Sequence, residues 1–207
     1  MAATFALIGQ QFAALSVLEI VAVALAIAYL LLAIQQNIWC WLCAGVSTAI
    51  YVYLFVDAKL YMESALNGFY FLMAAYGWYS WRSSTVQSTD LPVSVWPMRV
   101  HTVAILLIAV LSGLSGFLLQ RFTDAALPYV DSLTTFAAVW TTFLVARKVL
   151  ENWWYWLVID AASVAIYWTR GLELTALLFV LYLVMIPFGL LSWRRSFLAQ
   201  KSIAVPA

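Results

Sequence analysis

Residues 16–35 read SVLEIVAVALAIAYLLLAIQ and contain a single charged side chain, Glu19. About 20 apolar residues in a helix are needed to cross the ~30 Å hydrocarbon core of a bilayer. This stretch therefore predicts a membrane-spanning helix. The same criterion predicts six further spans, at about 38–56, 60–81, 100–120, 129–147, 152–169 and 172–193.

The composition supports an all-α integral membrane protein of 207 residues. Hydrophobic residues make up 66% of the chain and charged residues only 9%, which is too little charge to cover a water-soluble core. The net charge of +1 and the absence of a basic stripe argue against a nucleic-acid partner. The bilayer is the expected partner, and residues 3–15 leave open whether an interfacial helix precedes the first span.

The distribution of Lys and Arg predicts the orientation. An odd number of spans places the two termini on opposite faces, and the face with more Lys and Arg is cytoplasmic. Three of these residues fall on the N-terminal face, at Lys59, Arg121 and Arg170. Seven fall on the other face: Arg82, Arg99, Arg147, Lys148, Arg194, Arg195 and Lys201. We therefore expect a cytoplasmic C-terminus and a periplasmic or extracellular N-terminus in a bacterial inner membrane.

The chain contains an internal repeat. Asn37 to Leu42 (NIWCWL) resembles Asn152 to Leu157 (NWWYWL) at an offset of 115, with Thr48 on Ser163. Ser80-Trp81-Arg82 matches Ser192-Trp193-Arg194 at an offset of 112, which predicts a connection three residues shorter in the second copy. One transporter domain over 1–207 follows, with repeats at about 16–82 and 129–195 and a linker helix at about 100–120. The predicted arrangement is 3+1+3 with parallel repeats, which is typical of transporters.

Asp160 is the strongest candidate for a substrate ligand. It lies eight residues into the sixth predicted span, and an ionisable group at that depth is costly unless it has a function. Trp153, Trp156, Ser163 and Tyr167 share its helical face. A carboxylate beside aromatic rings is suited to an organic cation.

Other spans carry polar and aromatic residues that could line the same cavity. The candidates are Glu63, Asn67, Tyr70 and Ala74 on the third span, Trp41 and Thr48 on the second, and Asp131 and Thr135 on the fifth. The alternative for Asp160 is a structural pair with another helix. We interpret Trp39, Trp81, Trp154 and Trp193 as interfacial anchors, His101 as an interfacial residue, and Cys40 and Cys43 as apolar-facing thiols. The chain has no nucleotide-binding, metalloprotease or hydrolase motif, so neither a cofactor nor a metal is expected.

The segments YGWYSW at 76–81 and ENWWYW at 151–156 resemble the PnuC family of bacterial vitamin transporters. Asn37 to Trp41 and Ala58 to Tyr61 fit the same family, and the likeness covers about residues 16–196. The resemblance implies a seven-helix 3+1+3 fold and facilitated diffusion, in which a cytoplasmic kinase traps the vitamin by phosphorylation. It also implies that the protein is not an enzyme.

The resemblance leaves two cationic substrates, nicotinamide riboside and, in the related PnuT branch, thiamine. Nicotinamide riboside members commonly have Asn-Ile before Tyr-Gly-Trp, where this chain has Ala74-Ala75. Ala74 lies on the helical face that is predicted to line the site, and it lacks the amide that would form hydrogen bonds with a carboxamide. This difference favours thiamine as the substrate. An intramembrane enzyme that uses Asp131, Asp160 or Glu63, and a structural membrane subunit, are the alternatives from other classes. The oligomeric state is open, with a homo-oligomer as one alternative.

Overall fold

A computed structural model describes residues 9, 11–57, 61–86, 91–123 and 127–203, with the side chains of 61–63, 83–86 and 203 left out. Residues 11–13 are helical, and seven long helices follow within the described part of the chain. These are α1 (Val17–Ile34), α2 (Trp39–Asp57), α3 (Tyr61–Val86), α4 (Met98–Phe122), α5 (Pro128–Ala146), α6 (Asn152–Thr169) and α7 (Glu173–Ile203).

Five of these helices, α1, α2, α4, α5 and α7, are long and apolar enough to cross a membrane. The described residues contain no β-strand, only an isolated bridge between Ser94 and Val149. The chain is therefore an all-helical, multi-pass membrane protein, as the composition predicts.

The helices differ from the predicted spans mainly at the C-terminal ends of α3 and α7, which are longer than predicted. The bounds of α6 agree with the prediction, but α3 continues to Val86 and α7 continues to Ile203. Both additions contain Ser, Arg and other polar residues, so hydropathy alone does not detect them. A helix satisfies its own backbone hydrogen bonds and can therefore continue beyond the apolar region.

Local signals explain where α1 begins and how it and α5 end. The Glu19 amide donates to the Ser16 hydroxyl at 3.2 Å and the Ser16 amide donates to the Glu19 carboxylate at 2.6 Å, which forms a capping box. Two residues past the last helical residue, Gln36 and Lys148 adopt φ values of +57° and +49°. This left-handed conformation turns the chain directly into the following helix.

Four tryptophans form a continuous layer across the bundle, and we call Trp41, Trp81, Trp193 and Trp153 the tryptophan layer. Neighbouring ring centroids are 5.5, 6.3 and 5.5 Å apart in that order. All four rings are at most 3% exposed. The layer joins the ends of α3 and α7 to the starts of α2 and α6.

The prediction that Trp81 and Trp193 are interfacial anchors is wrong. The Trp81 indole N–H donates to the carbonyl of Ala146 at 3.2 Å, and that of Trp193 donates to the carbonyl of Ala33 at 2.9 Å. Each tryptophan thus caps the end of a helix in the other half of the chain, which gives both a structural role. Trp39 and Trp154, which are 55% and 56% exposed, keep positions suited to anchoring.

Glycines 112 residues apart set the register of the two halves. A Cβ on Gly77 would collide with the ring of Trp41, and a Cβ on Gly189 would collide with the ring of Trp153. Trp41 therefore corresponds to Trp153, at the same offset that relates Gln36 to Lys148. The predicted offset of 115 and the shorter connection in the second copy are wrong, and at the observed offset Thr48 corresponds to Asp160.

Residues 91–97, which precede α4, lie at the end of the bundle beside the tryptophan layer. The Ser94 amide donates to the carbonyl of Lys148 at 3.0 Å, and the Leu150 amide donates to the carbonyl of Ser94 at 2.8 Å. The Val93 amide donates to the side chain of Gln200 at 3.1 Å. These hydrogen bonds hold Val93 and Ser94 against the residues that follow α5 and against the last turns of α7.

His101 near the start of α4 differs from the prediction. Its side chain is buried, with the Nδ1 atom 3.1 Å from the Tyr155 hydroxyl and the Nε2 atom 4.0 Å from the Glu151 carboxylate. It is therefore a packing contact between α4 and α6 rather than an interfacial residue.

Candidate substrate site

Asp160 lies in the middle of α6 and inside the bundle. It is eight residues past Asn152, about 12 Å along the helix axis, and it is 4% exposed. No hydrogen bond or ion pair joins it to another residue of the described chain. The alternative of a structural ion pair therefore has no support in the structure.

Asp160 and tyrosines from five helices are linked by a series of electrostatic interactions. Tyr182 of α7 interacts electrostatically with Asp160 and with Tyr51 of α2. Tyr29 of α1 interacts with Tyr182 and with Tyr70 of α3. Tyr70 in turn interacts electrostatically with Tyr167 of α6. We define the tyrosine–aspartate cluster as Asp160, Tyr29, Tyr51, Tyr70, Tyr167 and Tyr182.

Stacked rings hold part of this cluster in place. Tyr167 stacks on Phe179 with ring centroids 5.3 Å apart and planes inclined by 13°. Phe179 in turn meets Tyr182 edge to face at 5.7 Å. These contacts fix tyrosines of α6 and α7 on both sides of one phenylalanine. The tyrosines are half-buried, so part of each ring remains free to contact a ligand.

This arrangement can bind a small cation with a flat ring. The Asp160 carboxylate supplies a negative charge, and tyrosine faces attract a cation within about 6 Å of the ring centroid. Tyrosine hydroxyls both donate and accept hydrogen bonds, so they suit the polar groups of a sugar or an amide. α1, α2 and α3 contribute to the cluster as well as α6 and α7, which puts the site between the two halves.

Trp41 and Trp153 belong to the tryptophan layer rather than to the tyrosine–aspartate cluster. Each is 2% exposed and packs against a glycine of the following helix. Their indole nitrogens are buried and have no hydrogen-bond partner among the described residues. The structure therefore gives both residues a packing role that the sequence analysis did not assign.

The other residues that the sequence predicts for the site occupy several environments. Ser163 is buried one turn after Asp160, and Trp156 is half-buried one turn before it. Asn67 is half-buried on α3 near Tyr70. The Thr48 hydroxyl donates to the carbonyl of Ala44 in its own helix at 2.8 Å, which uses its proton within α2.

Asp131 pairs with a residue at the end of α6, ten residues past Asp160. Asp131 is in the first turn of α5 and forms an ion pair of 3.0 Å with Arg170. Thr135 is half-buried one turn further along the same helix. Glu63 belongs to α3, but its side chain is outside the described residues. The structure thus does not bring Asp131 to Asp160.

Tyr29, Tyr51 and Tyr182 are site candidates that the sequence analysis missed. Tyrosine in membrane helices usually marks the interface, but Tyr182 lies nine residues, or about 14 Å, into α7. The depth of these tyrosines within their spans is the signal that could have identified them.

Cys40 is buried and Cys43 is half-buried, and both are free thiols. Within the described residues no three His, Cys, Asp or Glu side chains are grouped so as to hold a metal ion. The candidate site is thus composed of one carboxylate and aromatic hydroxyls.

Comparison with known proteins agrees with this architecture. The sequence profile of the family described as "Nicotinamide mononucleotide transporter" matches residues 16–195. The nicotinamide riboside transporter PnuC of Escherichia coli K12 is 24% identical over 176 residues, covering 73% of this chain and 74% of the relative. The riboflavin/roseoflavin transporter RibM of Streptomyces davaonensis is 24% identical over 126 residues, covering 58% of each.

A crystal structure of the vitamin B3 transporter PnuC shares the fold. It superposes with a TM-score of 0.70 at 20% identity, over 94% of this chain and 89% of that one. Because the family profile covers most of the sequence, the chain belongs to the PnuC family of nicotinamide mononucleotide transporters.

Proposed function

We propose that this protein carries nicotinamide riboside across a bacterial inner membrane. The observation that carries the proposal is a buried carboxylate, Asp160, that has no ion pair within the described residues and interacts electrostatically with Tyr182. Nicotinamide riboside is a cation with an aromatic ring, a sugar and a carboxamide. The carboxylate would neutralise its charge and the tyrosines would contact its ring and polar groups.

The sequence argument for thiamine has no support. Ala74 is 3% exposed and packs between α2 and α3, where a Cβ added to Gly45 would lie 3.8 Å from it. Ala74 thus belongs to the contact between α2 and α3 and is not part of the tyrosine–aspartate cluster. The two relatives named above are transporters of nicotinamide riboside and of riboflavin or roseoflavin.

Riboflavin is the second candidate because one relative is named for it. The isoalloxazine ring carries no positive charge, so a buried carboxylate would contribute less to its binding than to that of a cation. The two proposals are distinguished by measuring how strongly riboflavin and nicotinamide riboside compete for binding to the site.

The membrane arrangement is also part of the proposal. We infer seven spans as 3+1+3 in a single domain, with the C-terminus in the cytoplasm. The tryptophan layer supports parallel halves, because it gathers the ends of α1, α3, α5 and α7 at one side of the bundle. The distribution of Lys and Arg supports the orientation.

Transport would proceed by facilitated diffusion without chemical change of the vitamin. The relatives are transporters, and the sequence contains no P-loop motif for ATP. Accumulation inside the cell would then depend on a cytoplasmic kinase that phosphorylates the vitamin.

Uptake of labelled nicotinamide riboside by proteoliposomes tests the proposal. We expect Asp160→Asn, which keeps the size and removes the charge, to lose most uptake. Asp57→Asn, at an exposed carboxylate at the end of α2, is the matched control and should transport normally. Normal uptake by Asp160→Asn would refute the proposed site.

The same liposomes test the mechanism. Uptake should stop at equal concentrations without an ion gradient or ATP, and the recovered vitamin should be unchanged. Enclosing a nicotinamide riboside kinase with ATP should convert this equilibration into accumulation. A chemically altered product without the kinase would indicate an enzyme instead.

A further inference from the structure

An apolar groove runs along the outer side of α1, α2 and α3, separate from the tyrosine–aspartate cluster. Its volume is about 580 Å³. Gly45 and Ala74 form its floor, with Leu18 on one side and Phe71 on the other. Because every lining residue is apolar or aromatic, the groove presents almost no hydrogen-bonding group to an occupant.

The groove has the length and ends that an acyl chain requires. Trp41 and Tyr53, both lining residues on α2, are 12 residues apart, which corresponds to about 18 Å. One leaflet of the bilayer supplies about 15 Å of hydrocarbon. Trp78 also lines the groove and contacts Trp39, which is 55% exposed, at 5.5 Å. Exposed tryptophan is typical of the interface where lipid headgroups begin.

A cationic side chain stands at this aromatic end. Arg82 lies one turn beyond Trp78 on α3 and is exposed. No carboxylate of the described residues is within ion-pair distance of it. A guanidinium can bind a phosphate through two parallel hydrogen bonds. An acyl chain in the groove would place its phosphate near Arg82.

The second half of the chain fills the equivalent position. At the offset of 112, Gly45 corresponds to Leu157 and Ala74 corresponds to Ile186. Ile186 is 3% exposed, so the larger side chain occupies space that Ala74 leaves free. The groove therefore depends on two small residues whose counterparts in the second half are larger.

We propose that this groove holds one acyl chain of a phospholipid with an acidic headgroup, and that Arg82 binds the phosphate. The apolar lining selects the chain, and the exposed Arg82 guanidinium selects a negatively charged headgroup. The site is independent of the proposed substrate.

Lipid retained by the purified protein tests the proposal. The protein and its variants are extracted in a mild detergent, and bound phospholipid is quantified by mass spectrometry. Wild type should retain a single phosphatidylglycerol per chain. Gly45→Leu should lose more than half of it, and Arg82→Gln should retain less phosphatidylglycerol relative to phosphatidylethanolamine. Arg195→Gln, at an exposed arginine of α7, is the control and should match wild type.

Two results would overturn the proposal. One is equal retention of phosphatidylglycerol by wild type and Gly45→Leu. The other is a change of oligomeric mass in Gly45→Leu with no loss of lipid, which would make a second copy of the chain the occupant. If Gly45→Leu does not fold, a photoactivatable phosphatidylglycerol in nanodiscs replaces it. Its label should fall on the peptides between Leu42 and Phe71, and label confined to other helices would contradict the site.

Discussion

Gly189→Ala should destabilise the protein although alanine is the better helix former. The added Cβ would collide with three ring carbons of Trp153. That ring is 2% exposed and stands edge to face against Trp193 at 5.5 Å, and Trp193 is tied to the carbonyl of Ala33. The ring therefore cannot move without disturbing the tryptophan layer.

The expected magnitude combines three effects. Overpacking a core costs about 1–3 kcal/mol, and a displaced edge-to-face aromatic pair loses about 0.5–1.5 kcal/mol. Replacing glycine by alanine within a helix returns about 1 kcal/mol. We expect a net loss of about 2 kcal/mol, which for a chain of this length lowers the unfolding temperature by roughly 4–8 °C.

Thermal unfolding followed by tryptophan fluorescence in detergent measures this effect. Gly68→Ala in α3 is the matched control, because nothing lies within 4 Å of a Cβ added there. It should leave the unfolding temperature unchanged or raise it slightly. If Gly189→Ala behaved like Gly68→Ala, the contact that defines the 112-residue register would be wrong.

Three further changes have expected outcomes. Tyr182→Phe removes a hydroxyl that interacts electrostatically with Asp160 and should weaken nicotinamide riboside binding by about 1 kcal/mol or more; unchanged affinity in calorimetry would remove that tyrosine from the site. Trp81→Phe removes the hydrogen bond to Ala146 and should lower the free energy of unfolding by about 1–3 kcal/mol, and unfolding at the wild-type temperature would contradict the capping role. Arg170→Gln breaks an ion pair whose side chains are 33% and 39% exposed, so stability should fall by less than about 1 kcal/mol. A larger loss in the same unfolding assay would mean that this pair holds the outer end of the bundle closed.

The helices were predictable because hydrocarbon imposes long apolar segments. The bounds of α6 agree with the sequence-based span, and those of α1 and α2 agree within one residue at each end. The polar extension of α7 past Trp193 was not predictable from hydropathy, because helix formation outside the bilayer leaves no apolar signature.

The sequence comparison aligned α3 with α7 at an offset of 112 but α2 with α6 at an offset of 115, whereas the glycine contacts relate Trp41 to Trp153 at 112. Tryptophans spaced two apart occur in both copies, so a match displaced by three residues gives a plausible alignment. The close approach of Gly77 to Trp41 and of Gly189 to Trp153 determines the register, and such a contact is only visible in three dimensions.

The candidate site was predicted in part. Asp160, Tyr70 and Tyr167 were identified because charged and polar residues within a span are uncommon. Tyr29 and Tyr182 were missed because each lies alone in an apolar helix, without a polar stripe. Their convergence depends on how α1 and α7 pack, which periodicity within one helix does not determine.

A structure of the protein with nicotinamide riboside bound tests the central claim most directly. The account predicts that the charged ring lies beside the Asp160 carboxylate and contacts tyrosines contributed by both halves of the bundle. A ligand bound elsewhere, or an Asp160 side chain directed into the lipid, would contradict it.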